Sequence, residues 1–165
     1  MQNYKQNRNT SRQIVGTDIR IIEAVEARFG RLEVDLAAIP ELAKAPEYIT
    51  PEMDSLSYKT EWPINKLCWI NPPFNNTGEF AKKAAGYRRA YGDRFKCLML
   101  VPASIGTNWF INYCYPYASV IPLKGRPHFQ GYEERAGVDF MLVNYSGEPG
   151  KLEQPWDWEA TWARC

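Results

Sequence analysis

A near-continuous apolar run from Phe95 to Val101 is the feature that most constrains the fold of this chain. Apart from Lys96, the run is apolar on both of the faces that alternate along a strand, which is typical of a strand buried in the centre of a parallel sheet. Pro102 follows and ends the strand, because proline has no N–H for the sheet's hydrogen bonds. Such a strand needs helices on both sides, so the run favours an α/β fold.

Helical and strand-like segments alternate along the rest of the chain. Helices are predicted at 17–30, 77–91 and 107–115, and strands at 32–37, 67–70, 95–101, 119–123 and 138–145. Pro122 indicates that the strand at 119–123 lies at an edge. The alternation predicts one α/β domain over residues 14–165, with a mostly parallel sheet flanked by helices. Residues 1–13 are polar and are expected to form a flexible arm, and three tryptophans indicate that the segment 147–165 docks on the body.

Composition leaves several function classes open and disfavours others. The net charge is +1, which neither indicates nor excludes a nucleic-acid binder, because a basic patch is local and net charge is global. Four cysteines without a CxxC pair and one histidine disfavour a zinc site, so no metal is expected. The polar N-terminus and the lack of an apolar run of about 20 residues predict a cytoplasmic protein with no membrane contact.

The polar residues of interest fall at the ends of predicted strands. Ligands bind at the carboxyl ends of the strands in sheets of this kind. Asp35 closes the strand at 32–37, Asn71 follows the strand at 67–70, and Pro102 follows the central strand. The sequence therefore predicts that Asp35 and the turn Asn71-Pro72-Pro73-Phe74 lie on one rim.

The Asn-Pro-Pro-Phe turn suits a flat base that carries an exocyclic amino group. The amine of adenine or cytosine is a poor nucleophile because its lone pair is delocalised into the ring. Two acceptors that bind both N–H groups localise the lone pair, and the Asn71 side-chain oxygen and the Pro72 carbonyl are candidates. Pro73 restricts the residue ahead of it, and Phe74 offers a ring for stacking, worth ~1–3 kcal/mol per base. A tight structural turn is the alternative interpretation of these four residues.

An ordered set of blocks resembles the phage DNA N-6-adenine methyltransferase family, and the turn resembles motif IV of amino methyltransferases. The resemblance runs from about Thr17 to Tyr145 and is carried by Phe29-Gly30, Val34-Asp35-Leu36-Ala37-Ala38, Tyr48-Ile49-Thr50-Pro51, Asp54-Ser55-Leu56, Trp69 to Phe74, Leu100-Val101-Pro102-Ala103, Trp109-Phe110, Lys124-Gly125-Arg126 and Phe129. It implies a Rossmann-like methyltransferase domain, S-adenosylmethionine as cofactor, and adenine in DNA as acceptor. Asn71, Pro72, Pro73 and Phe74 are then the catalytic candidates.

The same resemblance implies a cofactor-binding set. Asp35 matches the acid of the family's cofactor-side strand, and a strand-end salt bridge or a helix cap is its alternative role. Asp54 is a second acid, for which a helix-cap role is equally open. Thr17 falls in the N-terminal cofactor-contact region, where Thr17-Asp18 departs from the expected Thr-Pro. The glycine-rich loop common among methyltransferases is missing, and the small side chain of Ala37 is expected to leave room for the cofactor instead.

Two basic segments are candidate nucleic-acid contacts. The segment Lys124-Gly125-Arg126-Pro127-His128-Phe129 follows a strand, and Lys124, Arg126 and Phe129 are expected to hold DNA and a base turned out of the duplex. The helix at 77–91 carries Lys82, Lys83, Arg88 and Arg89, for which a solvated face is predicted and contact with the DNA backbone is the alternative.

Two other functions are compatible with the sequence. Asn-Pro-Pro-Phe turns, or their tyrosine variants, also occur in methyltransferases that act on guanine N2 in RNA or on a protein glutamine. The missing glycine-rich loop is also compatible with a catalytically inactive nucleic-acid-binding protein of the same fold. The residues do not fix the DNA recognition sequence or the oligomeric state.

Overall fold

The computed structural model describes residues 16–165, so the predicted arm at 1–13 lies outside the described residues. Within this range the strands are β1 Val34–Asp35, β2 Glu47–Tyr48, β3 Leu67–Ile70, β4 Lys96–Pro102, β5 Ser119–Pro122 and β6 Phe140–Asn144. The α-helices are α1 Ile19–Phe29, α2 Thr77–Tyr91, α3 Asn108–Tyr113 and α4 Trp158–Trp162. Over the described residues, no helix has both the length and the apolar character that crossing a bilayer requires.

The six strands form one mixed sheet in the order β2-β1-β3-β4-β6-β5. The first four run parallel to one another, whereas β6 is antiparallel to both of its neighbours, β4 and β5. β4 is central as predicted, with a parallel partner on one side and an antiparallel partner on the other. β5 lies at the edge that Pro122 indicated. The predicted α/β architecture with a mostly parallel sheet is confirmed.

Alternate residues of the central strand enter two separate cores. Cys97, Met99 and Val101 of β4 face the core that α2 and α3 cover. Leu98 and Leu100 face the opposite core, which α1 and α4 cover. Because both faces of β4 are fully buried, its near-continuous apolar sequence follows from the layered packing.

The first two helices begin and end close to the predicted residues. Asp18 caps α1, its side chain accepting a hydrogen bond from the Arg20 backbone N–H at 2.9 Å. Gly30 ends the helix with a φ of 102°, a conformation that glycine adopts without steric cost. α2 runs from Thr77 to Tyr91, as the sequence predicted.

The C-terminal segment contains a helix that sequence analysis did not assign. Asp157 caps α4 by accepting from the Ala160 backbone N–H at 2.9 Å. Trp158 is fully buried against α1, and Trp156 makes an edge-to-face contact with Phe29 at a ring-centroid distance of 5.9 Å. The prediction that this segment docks on the body is therefore confirmed, with α4 as its docking element.

The prediction of a solvated face is wrong for Lys83 of α2. Its Nζ donates to the backbone carbonyls of Ser55, Ser57 and Thr60 at 2.7, 3.0 and 2.6 Å. The same ammonium lies 4.9 Å from the ring centroid of Trp62, a cation–π geometry. Lys83 thus fastens the segment 54–60 to α2.

Candidate active site

The carboxyl ends of β1, β3 and β4 meet along one rim of the sheet. Asp35 of β1 is in register with Trp69 of β3, and Asn71 lies two residues after Trp69, directly after the end of β3. Ile70 of β3 is in turn paired with Met99 of β4. The fold therefore places Asp35 and the Asn-Pro-Pro-Phe turn on neighbouring strands of the same rim.

The Asn-Pro-Pro-Phe turn is fastened by its own last carbonyl groups. The Asn76 backbone N–H donates to the Pro73 carbonyl at 2.8 Å, and the Thr77 hydroxyl donates to the Phe74 carbonyl at 3.3 Å. These bonds form a short 3₁₀ turn over Phe74–Asn76 that leads directly into α2. The Pro72 carbonyl has no donor among the hydrogen bonds of residues 16–165.

The Asn71 amide is held by a residue distant in sequence. Its Nδ2 donates to the Thr17 hydroxyl oxygen at 3.2 Å. Thr17 is only 1% exposed, whereas Asn71 is partly exposed, so the bond joins a buried hydroxyl to an amide at the surface of the rim. The structure therefore brings Thr17, predicted as a cofactor contact, into direct contact with the side chain predicted to bind the amine.

Phe74 combines an aromatic support with an open surface. Its ring centroid lies 6.4 Å from that of Phe140, and Phe140 lies 5.1 Å from Phe129. The Phe74 side chain is nevertheless 52% exposed. A ring backed by other rings and open to solvent on its remaining surface is suited to stacking on a planar base.

Asp35 is a buried carboxylate whose oxygens both accept backbone hydrogen bonds. Oδ1 accepts from the Ala37 N–H at 3.2 Å and Oδ2 from the Lys44 N–H at 3.0 Å. Burial raises the pKa of Asp35 to about 6, while these two bonds and the Lys44 charge act in the opposite direction. Asp35 therefore changes its charge just below neutral pH, and it orders the connection between β1 and β2 without capping a helix.

Two adjoining hollows line the rim. The larger has a volume of about 220 Å³. Its apolar walls come from the ends of β1 and β2, from the segment 54–60 and from α2: Leu36, Ile49, Leu56 and Phe80. Its polar wall includes Asp54, whose Oδ1 accepts from the Leu56 N–H at 3.2 Å. The smaller is a narrow recess between Thr17, Asp35, Lys44, Trp69 and Asn71. Ala37 and Ala38 line both hollows, so small side chains lie between them.

Trp69, one of the residues that line the recess, has a buried polar atom without a partner in the described part of the chain. The indole Nε1 of Trp69 makes no hydrogen bond with residues 16–165. Most buried N–H groups are paired with protein or with ordered water. The Trp69 N–H is itself shielded from solvent, so among these residues it is an unsatisfied donor inside the fold and not an open donor of the recess.

The basic loop after β5 is tied to acids on the body. Lys124 Nζ lies 2.6 Å from Asp157 Oδ2, and Arg126 Nε lies 2.9 Å from Asp139 Oδ1. Both basic side chains remain exposed. Phe129, by contrast, is only 9% exposed and packs in the core, so it offers little ring surface to a nucleic acid.

Sequence reasoning missed three polar contacts that organise the site. They are the Asn71–Thr17 hydrogen bond, the Lys44 N–H bond to Asp35, and a 2.9 Å bond from Lys44 Nζ to Gln130 Oε1. The partners Asn71 and Thr17 are 54 residues apart, and Lys44 and Gln130 are 86 apart. No local pattern links residues so far apart, so these contacts emerge only from the fold.

The comparison with known families matches this arrangement. A family model described as DNA N-6-adenine-methyltransferase (Dam) matches residues 5–139. The chain belongs to this family. The Dam match includes the whole rim described above, from Thr17 to Asp139, and begins inside the segment 1–13. The resemblance identified in the sequence is thereby confirmed, and the sheet with its flanking helices is an α/β methyltransferase fold.

Two phage proteins of the Dam family are similar to the chain. A protein of Escherichia phage T1 named DNA N-6-adenine-methyltransferase is 30% identical over 143 residues, which are 85% of this chain and 57% of the relative. A protein of the same name from Haemophilus phage HP1 is 29% identical over 80 residues, which are 48% of this chain and 43% of the relative. The chain thus spans little more than half the length of the first relative.

Proposed function

We propose that this chain transfers a methyl group from S-adenosylmethionine to the N6 amine of adenine in DNA. The observation that carries the proposal is the position of Asn71, at the end of β3 between the recess that contains Asp35 and the half-exposed ring of Phe74. Family membership and the names of the two phage relatives support adenine in DNA as the acceptor.

The larger hollow fits one part of the cofactor, whereas the recess beside it has a volume of only about 10 Å³. Pockets that take a whole drug-sized ligand measure roughly 300–1,000 Å³, so the 220 Å³ hollow with apolar walls suits the adenosyl part alone. The ionised carboxylate of Asp35 lines the adjoining recess and suits the methionine ammonium, whose entry would require the recess to widen. Ala37 and Ala38 leave space between the parts where other methyltransferases have glycine. When bound, the cofactor supplies a methyl group on a positively charged sulfur and leaves as a neutral thioether.

The acceptor side works through neutral oxygen atoms. The Asn71 Oδ1 and the Pro72 carbonyl accept the two N–H groups of the adenine amine and localise its lone pair on nitrogen. Asn71 and Pro72 would thereby hold the nitrogen with its lone pair available to the methyl group that the bound cofactor would supply. The methylated nitrogen then releases one proton to solvent. A strong base is not needed, because the positively charged aromatic amine is itself a strong acid.

The DNA side requires an adenine outside the duplex, since enzymes that modify a base act on an extruded or single-stranded nucleotide. Phe74 stacks on the extruded base, a contact worth ~1–3 kcal/mol. Lys124 and Arg126 bind phosphates. Their ion pairs with Asp157 and Asp139 are exposed, and such pairs contribute little to stability, so a phosphate can replace the acids.

The test is transfer of tritium from labelled S-adenosylmethionine to DNA, with mass spectrometry of the digested nucleosides. The parent chain is expected to yield N6-methyldeoxyadenosine. Asn71→Ala is expected to lower kcat by ~10²–10³, the usual cost of removing one group that stabilises a transition state. Calorimetry with S-adenosylmethionine serves as the control, because Asn71→Ala is expected to keep cofactor affinity within about threefold.

Other outcomes of this test overturn the proposal in distinct ways. Methylated guanine or a methylated protein glutamine identifies a different acceptor amine. DNA binding with neither transfer nor cofactor affinity identifies an inactive binding protein. Equal transfer by the parent and Asn71→Ala removes Asn71 from the mechanism.

DNA contact by the basic loop is tested by salt dependence. Arg126→Ala is expected to weaken DNA binding across sequences and to reduce the slope of log affinity against log salt by about 1. Arg31→Ala is the matched control, because Arg31 is exposed and precedes the amino end of β1, at the end of the sheet opposite the rim. An unchanged slope for Arg126→Ala would remove this loop from the DNA contact.

A further inference from the structure

The contact between Thr17 and Asn71 joins the N-terminal segment to the amide on which the proposed chemistry depends. Asn71 Nδ2 donates to Thr17 Oγ1 at 3.2 Å, and the Thr17 side chain is almost completely buried. In this arrangement the nitrogen end of the amide faces Thr17, so Oδ1 is the end directed away from it. An asparagine amide is a donor at one end and an acceptor at the other, so its orientation decides whether it can bind an amine.

Thr17 is itself held firmly by the loop after β5. It forms an antiparallel bridge with Phe129, and the adjacent Gly16 carbonyl accepts from the Gln130 N–H at 2.7 Å. A Cβ at Gly16 would also collide with the Gln130 side chain. The hydroxyl of Thr17 is therefore placed by backbone pairing, which restricts its position more than side-chain packing alone would.

This pairing connects to the cofactor side of the rim. Gln130 Oε1 accepts from Lys44 Nζ at 2.9 Å, and the Lys44 backbone N–H donates to Asp35 at 3.0 Å. One set of hydrogen bonds thus runs from the carboxylate at the end of β1, through Lys44 and Gln130, to the strand segment that carries Thr17.

We propose that Thr17 is a positioning residue for Asn71, whose amide it holds in the orientation that presents Oδ1 to the target amine. This inference rests on the proposed function and deepens it, because it reassigns Thr17 from a direct cofactor contact to a support of the acceptor site. Thr17 does not touch the reacting atoms in this role. Its loss therefore lowers the rate of methyl transfer and leaves cofactor binding in place.

The test compares Thr17→Val, which keeps the shape and removes the hydroxyl, with Thr17→Ser, which keeps the hydroxyl. Thr17→Val is expected to lower kcat by about tenfold or more, with the dissociation constant of S-adenosylmethionine within about twofold of the parent by calorimetry. Thr17→Ser is expected to recover kcat to within about threefold of the parent. Thermal unfolding of each variant reports whether it is folded.

A second measurement tests the hydrogen bond between Asn71 and Thr17 and does not require the protein to be active. The side-chain amide protons of Asn71, assigned by their loss in Asn71→Ala, are expected to exchange slowly in the parent chain and in Thr17→Ser. They are expected to exchange measurably faster in Thr17→Val. Amide exchange can be measured even if the parent chain transfers no methyl group to DNA. This measurement therefore tests the role of Thr17 separately from the proposed function.

Three results would overturn the inference. The first is a Thr17→Val chain with parental kcat, or with unchanged amide exchange. The second is a Thr17→Val chain that loses cofactor affinity at parental kcat, which would return Thr17 to a cofactor contact. The third is a folded Thr17→Ser chain as impaired as Thr17→Val, which would show that the methyl packing and not the hydroxyl matters.

Discussion

Asp35 is the residue whose environment makes the clearest prediction about pH. Burial raises its pKa to about 6, although two backbone N–H groups bind its oxygens. Below that pH the protonated carboxyl no longer attracts an ammonium group. Affinity for S-adenosylmethionine is therefore expected to fall by about tenfold per pH unit below 6 and to level off above about 7. Calorimetry between pH 5 and 8 measures this, and Asp35→Asn should bind weakly at every pH. A parent chain with pH-independent affinity would contradict the assignment.

The same carboxyl has the opposite effect on stability. The folded pKa of Asp35 is raised above the unfolded value of 3.8, so its contribution to stability is present below pH 3.8 and is lost as pH rises through about 6. The loss is about 2–3 kcal/mol by linkage. Urea denaturation at pH 4 and pH 7 is expected to show this fall for the parent chain and its absence in Asp35→Asn. Cofactor affinity and stability of the free chain thus change in opposite directions over this range.

Phe74 is predicted to contribute to DNA use without contributing much to stability. Loss of a stacked ring costs ~1–3 kcal/mol, so Phe74→Ala is expected to lower kcat/KM for DNA by roughly 5–150-fold. Because half of the side chain is already exposed, the urea midpoint should change little. Phe74→Trp keeps a ring and serves as the control, with most of the parental kcat/KM. Equal loss in both variants would argue against stacking.

At the scale of elements, the unit from β3 through the Asn-Pro-Pro-Phe turn to α2 was predictable, because each part has a local signal. The apolar run at 67–70 predicts the strand, the two prolines predict the turn, and the recurrent apolar residues predict the helix. β2 was not predicted as a strand because its two residues are too few to show a period. α4 did have a local signal: Asp157 is an N-cap residue, and Trp158 and Trp162 are four residues apart. The polar residues around them obscured this signal.

The role of Lys83 was beyond sequence reasoning for a different reason. A lysine on the outer side of a helix is usually solvated, and nothing near it in sequence identifies three carbonyl groups more than 20 residues away. Those carbonyls belong to the segment 54–60, whose first residues form a wall of the larger hollow. The ammonium thus organises part of the proposed cofactor site from outside it.

The contribution of Lys83 is testable against its neighbour. Lys83→Met removes three charge-assisted hydrogen bonds and is expected to destabilise the chain by about 1–3 kcal/mol, measured by urea denaturation. It is also expected to weaken S-adenosylmethionine binding, because the segment 54–60 loses its attachment to α2. Lys82→Met is the matched control, since Lys82 is exposed on the same helix. Similar effects in both variants would indicate a general charge effect instead.

At the scale of the whole molecule, the C-terminal segment completes the core under α1. Trp158 is fully buried there, and removal of a buried tryptophan side chain costs about 3–5 kcal/mol. Trp158→Ala is therefore expected to lower the unfolding free energy by that amount in urea. Trp162→Ala, one turn further along the same helix and partly exposed, is expected to cost clearly less. Equal effects would mean that α4 does not pack on the body in solution.

The order and direction of the strands in the sheet were the features that the sequence predicted least well. The alternation of helices and strands predicted a mostly parallel sheet, but it did not predict that β6 enters antiparallel between β4 and β5. Strand order depends on how separate apolar faces pack together, and no residue of β6 encodes its direction locally.

The direction of β6 has a consequence for how such a protein diversifies. Because β6 runs against its neighbours, it starts at the rim, where Phe140 is paired with Pro102, while β5 ends at the same rim. The connection 123–139 therefore leaves the sheet at the end of β5 and returns to it at the start of the adjacent strand β6, on the same rim. Lengthening such a connection costs little entropy and leaves the sheet untouched. The parts of this connection that lie away from Phe129 and Gln130 can therefore vary in length while the pairing that holds Thr17 is kept.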